Sequence, residues 1–310
     1  MKTLTIGSRG SKLALAQTNW VAEEIQTLRP EIPVQIQIIK TTGDKMTAAS
    51  LTQLAGESKG LFVKEIEEAL LAGSIDLAVH SLKDVPSTLP EGLAIGVIPE
   101  REDPRDALIG DHDLDSFRDL GHGATIGTSS LRRSVQLRGL RPDFKVVPIR
   151  GNVDTRLRKL KEQGLGGIIL ALAGLRRMSL QHHVSYIFSP DEMVPAVGQG
   201  ALGIEVRSGD NRVMELIGTL DHEPTRIAVE AERKFLRGMG GGCQVPMGAY
   251  AEISGPDSRF LAFLANPSGE EIIRYSNEVT SDDLAEEARR AVDYFRSNGS
   301  DRILAEVSSL

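Results

Sequence analysis

Cysteine is almost absent from this chain, since Cys243 is the only one among 310 residues. One thiol cannot form an internal disulfide, and a cysteine-rich metal site is excluded as well. Long apolar runs are also missing, because the longest, near Gly167–Ala173, is far shorter than a membrane-spanning helix. Lys2, Arg9 and Lys12 flank only a brief apolar stretch, so we expect no signal peptide. These absences predict a soluble, cytoplasmic protein.

Aromatic side chains are scarce too, at 4% of the residues, whereas 40% are hydrophobic and 25% are charged. This composition excludes disordered, collagen-like and coiled-coil proteins. At this length we expect two or three domains rather than one, each large enough to bury a core.

The charge of the chain is unevenly distributed. The total is −7, but Ala124–Met178 carries twelve arginines and lysines against three acidic residues, so this segment is +9 and the remainder −16. Such asymmetry indicates an anionic ligand, although Arg158, Lys159 and Lys161 also fit an exposed helix face. Nucleic acid is disfavoured, because Phe144 is the only aromatic residue in the segment and bases would find no stacking platform.

The first hundred residues alternate between strand and helix patterns. Strands are predicted at Leu4–Ile6, Val34–Ile39, Asp76–His80 and Leu93–Ile98. One helix is predicted from about Ser11 to Arg29–Pro30, and another over Phe62–Ala72 with Gly73 after it. Strands separated by helices of this length predict βαβ units and a mainly parallel sheet.

A second copy of this pattern begins at residue 124. Thr125–Thr128 repeats the strand, glycine and hydroxyl order of Thr5–Ser8. A strand at Val146–Ile149, a helix from Asn152, a strand at Gly167–Leu172 and a turn at Ala173–Leu175 are predicted after it. We therefore predict two similar α/β domains, with Pro99–Pro104 as the hinge and Val194–Gly200 as the return crossing.

The C-terminal residues follow a different pattern. Antiparallel strands are predicted at Ala249–Ser254, Phe260–Leu264 and Glu271–Ser276. Ser281 is predicted to cap a helix that buries Leu284, Ala288, Val292 and Phe295 and ends at Asn298–Gly299. The predicted fold class is α/β, with domain 1 at residues 1–99 and 200–220, domain 2 at 105–195, and a small α+β domain with an antiparallel sheet at 222–310.

Two motif-like segments do not qualify as sites. Gly198–Gly203 fits G-x-G-x-x-G, but Pro195 precedes it and Ile204–Val206 is predicted as a strand, whereas a dinucleotide fingerprint opens a helix. Asp111–Asp115 resembles a calcium loop but has Ser116 where such a loop needs glycine. The histidines show no ligand spacing, so we expect no metal.

Two predicted helix starts are candidates for anion binding, because a helix N-terminus offers free N–H groups and the positive end of its dipole. The residues are Ser8, Arg9 and Ser11 in the first domain and Thr128, Ser129, Ser130, Arg132 and Arg133 in the second. Ordinary capping explains either start alone equally well. Two such helix starts that face one cleft favour the binding of a multiply carboxylated or phosphorylated compound.

Asp84 and Cys243 are the candidates for chemistry. Asp84 lies in Ser81–Pro86, directly after a predicted strand, where open α/β sheets carry their sites; an ordinary turn aspartate is the alternative. Cys243 follows Gly240–Gly242, which indicates a loop that something large approaches; an inert buried cysteine is the alternative.

Together these segments resemble the porphobilinogen deaminase (hydroxymethylbilane synthase) family. Order and spacing agree over nearly the whole chain. The strings that carry the resemblance are Ile6–Arg9, Lys59–Phe62, Val79–Pro86, Gly127–Arg133, Arg150–Asn152, Pro195–Gly200 and Gly241–Pro246. One departure precedes Lys59, where Leu54–Ser58 lacks a lysine that many relatives carry.

The resemblance implies two domains like those of type II periplasmic binding proteins and a third that carries the cofactor. The implied reaction joins four porphobilinogen units head to tail with loss of ammonia and then releases 1-hydroxymethylbilane by hydrolysis, in haem and chlorophyll biosynthesis. The implied cofactor is dipyrromethane, attached to Cys243 by a thioether. The expected partners are porphobilinogen and the growing oligopyrrole chain, with no nucleic acid or membrane, and the expected state is a monomer.

By resemblance, Asp84 is the catalytic carboxylate. The cofactor is expected to contact Cys243, Lys83, Ser81, Asp84, Thr128, Ser129, Ser130, Arg132, Arg133, Arg150 and Gly151. The substrate is expected to contact Arg9, Ser11, Lys59, Arg150, Arg156, Arg177 and Gln199. Each pyrrole carries acetate and propionate arms, and arginine suits carboxylates through its permanent charge and bidentate fork.

The competing class is a solute-binding protein of the same two-domain fold, which would bind an anion without chemistry. The absent signal peptide, the third domain and Cys243 count against it. A colour test with acidic dimethylaminobenzaldehyde distinguishes the two, because only an attached dipyrromethane reacts.

Overall fold

The structure is a computed structural model that describes residues 2–42, 63–110, 114, 116–240, 245–255 and 257–308. The chain divides into two compact units, of which the first is Met1–Glu102 with Ala201–Arg226 and the second is Asp103–Gly200 with Ile227–Leu310. In the part of the chain described, no helix combines the length and the apolar character that crossing a bilayer requires.

The elements alternate along most of the chain. The strands are β1 (Leu4–Ser8), β2 (Val34–Ile38), β3 (Leu77–Ser81), β4 (Leu93–Val97), β5 (Asp106–Ile109), β6 (Thr125–Gly127), β7 (Lys145–Val147), β8 (Gly167–Ala171), β9 (Tyr186–Ile187), β10 (Leu202–Arg207), β11 (Met247–Ser254), β12 (Asp257–Ala265) and β13 (Ile272–Thr280). The helices are α1 (Lys12–Leu28), α2 (Lys64–Leu71), α3 (Leu131–Leu140), α4 (Val153–Glu162), α5 (Leu172–Arg177), α6 (Asn211–Ile217), α7 (Glu223–Gly238), α8 (Leu284–Ser297) and α9 (Ser300–Ser308).

The first unit is built on a sheet with the strand order β2-β1-β3-β10-β4. Strand β1 runs parallel to β2 and β3, as predicted, while β10 runs antiparallel to β3 and β4. Apolar side chains of the sheet, such as Ile6 and Val79, pack against Val21 and Ile25 of α1 in one buried cluster. This packing holds the carboxyl ends of β1 and β3 side by side.

The second unit contains a sheet of the same design, with the order β7-β6-β8-β5-β9. Here β6 is parallel to β7 and β8, and β5 is antiparallel to β8 and β9. The predicted repetition is therefore confirmed at the level of strand order. The chain passes from the first unit to the second after Glu102 and returns after Gly200. The strand that follows each passage, β5 in the second unit and β10 in the first, runs antiparallel to its neighbours.

The C-terminal residues form an antiparallel sheet in the order β11-β12-β13, as predicted. Phe260 packs with Phe235 of α7 and Phe295 of α8 in the core of this region. Leu261 and Phe263 of β12 pack instead with Val135 and Val194. The sheet therefore has apolar contacts on both faces.

Two local predictions were wrong. Ser281 does not cap α8, because Ser281–Asp283 forms a 3-10 turn and the α-helix begins only at Leu284. Ala173–Leu175 is not a turn but part of α5, whose Leu172, Ala173 and Leu175 are buried against the sheet. The predicted buried stripe of α8 is confirmed, since Leu284, Ala288, Val292 and Phe295 are all buried.

Candidate active site

The first predicted helix start lies where the carboxyl ends of β1 and β3 meet at one edge of the sheet. Ser11 caps α1, because its side chain accepts a hydrogen bond from the Ala14 N–H. Thr18 donates a 2.8 Å hydrogen bond from its hydroxyl to that of Ser8. These bonds fix the backbone on both sides of Arg9.

Asp84 ends a 3-10 turn that follows β3 directly. Leu82 anchors this turn, since its side chain is buried and its N–H donates to the carbonyl of Ala201. Lys83 is half-buried, whereas Asp84 is exposed. The turn therefore holds a carboxylate in contact with solvent at the end of a buried strand.

A pocket in the first unit brings together four of the predicted residues, Arg9, Ser11, Ser81 and Asp84, and we call it the Asp84 pocket. Its remaining lining residues are Leu13, Ala14, Gln17, Val63, Val79 and His80. A guanidinium, a carboxylate and two hydroxyls in so small a space suit a polar, charged substrate.

Gln17 was missed by the sequence reasoning, although it lines the pocket. It is 3% exposed, and its Nε2 donates a 2.8 Å hydrogen bond to the hydroxyl oxygen of Ser81. A signal was available, because Gln17 and Thr18 are polar residues on the otherwise apolar buried face of α1. Buried side-chain amides need partners, so such residues point to a hydrogen-bonded site.

The second predicted helix start has the same construction. Ser130 caps α3 by accepting from the Arg133 N–H, and its own N–H donates to the hydroxyl of Thr128. The Ser129 hydroxyl donates a 2.8 Å hydrogen bond to the carbonyl of Ile149. Each of these hydroxyl groups therefore takes part in holding the local backbone, and their binding of an anion stays a prediction.

Arg132 and Arg133 form a cluster with Asp106, which we call the Asp106 cluster. The Arg132 Nη1 lies 2.8 Å from one carboxylate oxygen, and the Arg133 Nη2 lies 2.7 Å from the other. Asp106 is fully buried, and the two arginines are 5% and 6% exposed. Gln199, a predicted substrate contact, also belongs to the cluster, because its Nε2 donates to Asp106 at 2.9 Å.

The charges in this cluster do not cancel, since two guanidiniums share one carboxylate. Burial alone would raise the pKa of Asp106, but the positive charges of Arg132 and Arg133 hold it well below its usual range. Burial lowers the pKa of Arg132, against the attraction of Asp106. One net positive charge therefore remains in a buried place.

Arg156 adds to this positive charge. Its Nε donates a 2.8 Å hydrogen bond to the carbonyl of Gly151, and no carboxylate partner for it lies among the residues described. Burial and the charge of Arg133 both lower the pKa of Arg156. A half-buried cation with this surrounding is suited to receive a carboxylate from outside the protein.

The other predicted contacts of the second unit are placed differently. Gly151 has a φ of +123°, and Arg150 beside it is exposed. Arg177 is half-buried at the end of α5, and its Nη2 donates a 2.7 Å hydrogen bond to the carbonyl of Gly200. Cys243 and Lys59 lie outside the described residues, so their predicted roles stay predictions.

Sequence reasoning also missed Asp106. It lies at the start of β5, whereas the arginines that it pairs with are on α3. The available signal is that an acidic residue opens β5, a strand whose other residues are apolar.

Two family descriptions match most of this chain, and curated relatives match nearly all of it. The family description "Porphobilinogen deaminase, dipyromethane cofactor binding domain" matches residues 4–215, and "Porphobilinogen deaminase, C-terminal domain" matches residues 226–292. The porphobilinogen deaminase of Syntrophotalea carbinolica is 48% identical over 98% of this chain and 96% of its own length. That of Nitratidesulfovibrio vulgaris is 49% identical over 99% and 98%.

Among solved structures, a TRAP periplasmic solute-binding protein from Desulfovibrio salexigens is similar with a TM-score of 0.43 and 12% identity, over 72% of this chain and 73% of that one. The second substrate-binding domain of a putative amino acid ABC transporter from Streptococcus pneumoniae is similar with a TM-score of 0.42 and 12% identity, over 71% and 91%.

The matched cofactor-binding domain, over residues 4–215, and the curated relatives define a transferase. The chain belongs to the porphobilinogen deaminase family. The reaction is the stepwise head-to-tail condensation of four porphobilinogen molecules with loss of ammonia, followed by hydrolysis to 1-hydroxymethylbilane. The enzyme serves porphyrin biosynthesis, and its cofactor is dipyrromethane.

Proposed function

We propose that the condensation takes place at the Asp84 pocket, with Asp84 as its catalytic carboxylate. The observation that carries this proposal is the exposed Asp84 carboxylate in one pocket with Arg9, Ser11 and Ser81, at the carboxyl ends of two parallel strands. Loss of ammonia from the aminomethyl group of porphobilinogen leaves a cationic methylene-pyrrolenine. A fixed carboxylate stabilises such a cation electrostatically, and more strongly in a pocket than in water.

The pocket also contains groups for positioning the substrate. Arg9 can hold a carboxylate arm of the pyrrole through a charge-assisted, bidentate contact. The hydroxyl of Ser11 and the Gln17–Ser81 pair offer further hydrogen bonds at fixed positions. These groups orient the ring, so that Asp84 faces the carbon at which charge develops.

The second unit supports cofactor binding. Dipyrromethane bears carboxylate arms on both of its rings, and the buried positive charge of the Asp106 cluster is suited to them. We propose that Cys243 carries the cofactor by a thioether and that the cofactor contacts within this unit are Thr128, Ser129, Ser130, Arg132, Arg133, Arg150 and Gly151. The proposed substrate contacts within this unit are Arg150, Arg156, Arg177 and Gln199. When bound, the cofactor supplies the ring to which the first porphobilinogen is added.

The substitution Asp84→Asn tests the catalytic role, because it keeps the shape of the side chain and removes its charge. We expect turnover to fall by at least about 10²–10³-fold with folding and cofactor content intact. Glu91→Gln is the matched control, since Glu91 is an exposed carboxylate of the same unit outside the pocket. Turnover of Asp84→Asn within a few-fold of the parent enzyme would assign the catalytic role to another residue.

The proposal also covers the location of the protein, its oligomeric state and its division into domains. A cytoplasmic location is supported by Cys243, which has to stay reduced until the cofactor is attached. A monomer is supported by the presence of the Asp84 pocket, the Asp106 cluster and Cys243 on one chain. Residues 105–195 and 222–310 are proposed as separate domains, because each region has a sheet with its own core.

A further inference from the structure

His80 lines the Asp84 pocket and is also paired with a buried carboxylate. Its Nε2 lies 2.9 Å from Oε2 of Glu205, and the two side chains are 5% and 1% exposed. Because His80 on β3 lies opposite Gly203 on β10, Glu205, two residues further along, points to the same face of the sheet. The pair therefore connects the pocket with the interior of the first unit.

A third titratable group, Glu67 of α2, faces this pair. Glu67 is 8% exposed; burial and the charge of Glu205 raise its pKa, while His80 acts in the opposite direction. Oε1 of Glu205 is buried and accepts no hydrogen bond from the described residues. Two carboxyl groups and one imidazole thus lie in an apolar interior, where sharing a proton lowers the cost of burying charge.

Stability alone does not account for such a pair. A buried ion pair is often no more stable than well-packed apolar side chains of the same volume. Buried titratable groups that border a pocket are frequent at functional sites, because burial adjusts their affinity for protons. The proposed role of Asp84 leaves one task open, namely the removal of a proton from the acceptor ring in every condensation.

We propose that His80 and Glu205 form a proton relay that serves the Asp84 pocket, an inference that rests on the proposed role of that pocket. In each condensation the C–N bond of porphobilinogen breaks and its electron pair leaves with ammonia. A C–C bond then forms between the methylene carbon and the α-carbon of the acceptor ring, and the C–H bond at that α-carbon breaks, with its electrons restoring the aromatic ring.

The released proton passes, directly or through Asp84, to Nδ1 of His80, while the proton on Nε2 moves to Glu205. The ammonia set free in the first step takes the proton from the relay and leaves as ammonium, which returns His80 and Glu205 to their starting state. Glu205 of β10 and Glu67 of α2 interact with His80, and Arg9 and Asp84 are charged groups that line the same pocket.

The test compares His80→Gln with the control His222→Gln in the cofactor-loaded enzyme. His222 is half-buried in the same unit and outside the pocket, with its Nδ1 2.8 Å from the hydroxyl of Thr225. We expect His80→Gln to lower kcat by about 10²-fold or more, with KM changed far less. The control should keep the parent values.

Glu205→Gln provides a second variant of nearly the same shape. The amide cannot take the Nε2 proton of His80, so kcat should fall while KM changes far less. The ¹⁵N NMR signal of His80 Nε2 should also change in this variant without any turnover, because its carboxylate partner at 2.9 Å is lost. Thermal unfolding and the dimethylaminobenzaldehyde colour establish that each variant is folded and loaded.

The relay would be overturned by a His80→Gln enzyme whose kcat per loaded molecule matches that of the parent. It would also be overturned if Glu205→Gln left kcat and the ¹⁵N signal of His80 unchanged. If the Asp84 proposal fails, Asp84→Asn turns over normally. The two relay variants are compared with their own control, His222→Gln, so the two failures can be told apart.

Discussion

At the scale of single residues, Asp106 governs what Arg132 and Arg133 can do. It accepts from both guanidiniums in a place that water does not reach. The carboxylate is fully ionised there, because the two positive charges outweigh the effect of burial on its pKa. Asp106 therefore keeps both arginines in position while leaving part of their charge for a ligand.

Replacing Asp106 with Asn should destabilise the protein by about 3–5 kcal/mol, since two buried guanidiniums would lose their counter-charge. Urea unfolding measures this loss. The control Asp293→Asn removes a carboxylate from an exposed ion pair with Arg289 and should change the midpoint barely measurably. An equal effect of both substitutions would contradict the account of the cluster.

The same carboxylate predicts a pH dependence of stability. The folded-state pKa of Asp106 lies below the ordinary value of 3.8, so its contribution is present above that value and is lost as the pH falls further. The parent enzyme should therefore lose stability below about pH 4 more steeply than Asp106→Asn does. Parallel curves for the two proteins would show that Asp106 does not titrate in this way.

Arg156 and Arg158 lie on the same helix and differ in what surrounds them. Arg156 is half-buried without a described carboxylate partner, whereas Arg158 is exposed and 3.4 Å from Glu162. Arg156→Leu should therefore leave the unfolding midpoint unchanged or raise it, yet stop pyrrole addition at a defined chain length, because a lost carboxylate contact costs roughly 2–5 kcal/mol. Native mass spectrometry with limiting porphobilinogen counts the pyrroles. Arg158→Leu should give the parent ladder, and identical ladders from both variants would contradict a specific contact.

How far the site residues could be predicted depends on how local their environment is. Arg9, Ser81 and Asp84 belong to short strings next to strand ends, and the structure places them together in one pocket. Gln17 and Asp106 could not be found in this way, because their roles arise from partners far along the chain. Gln17 pairs with Ser81 across 64 residues, and Asp106 pairs with Arg133 across 27.

At the scale of secondary-structure elements, α1, α3 and α4 each follow a strand and begin with a side-chain cap. Ser11, Ser130 and Asn152 each accept a hydrogen bond from the N–H three residues on. The start of α4 also needs Gly151, whose φ of +123° is disfavoured for other residues. A Cβ there would lie 2.6 Å from Cγ2 of Thr155. The glycine therefore allows the backbone turn between Arg150 and the start of α4.

Gly151→Ala should destabilise the protein by about 1–3 kcal/mol, because the new side chain is strained and too close to Thr155. It should also lower cofactor content, since the neighbouring arginines are displaced. The control Gly139→Ala should stabilise the protein by about 0.5–1 kcal/mol, as Gly139 lies within α3 and a Cβ there meets nothing within 4 Å. Thermal unfolding and the colour test give both results, and a neutral Gly151→Ala would contradict this reasoning.

Elements with a clear period could be predicted from the sequence, whereas those held by distant packing could not. The spacing of apolar residues predicts α1 and α8 with bounds close to the observed ones. Helix α5 was mistaken for a turn, because Gly174 suggests one and only the burial of Leu172 and Leu175 against the sheet keeps the segment helical. Helix α7, Glu223–Gly238, was missed altogether.

At the scale of the whole molecule, two sheets of one design each receive an antiparallel strand after the chain has passed between the units. The sequence repeat predicts two similar sheets, but it does not predict which distant segment supplies the antiparallel strand. That strand matters to each candidate site, because Asp106 opens β5 and Glu205 lies on β10. Asp106 pairs with the predicted Arg132 and Arg133, and Glu205 pairs with His80 of the Asp84 pocket, so each links a distant part of the sequence to a candidate site.

The central claim is that the Asp84 pocket adds porphobilinogen to a pyrrole chain anchored on Cys243. The most direct measurement is the intact mass of the purified protein, of Cys243→Ser and of Asp84→Asn, before and after limiting porphobilinogen. We expect the parent enzyme to exceed its sequence mass by two linked pyrrole units and then to gain one unit at a time. Cys243→Ser should have the bare mass and no activity, and Asp84→Asn should retain the two units and extend them far more slowly. An active protein with the bare sequence mass would contradict the account.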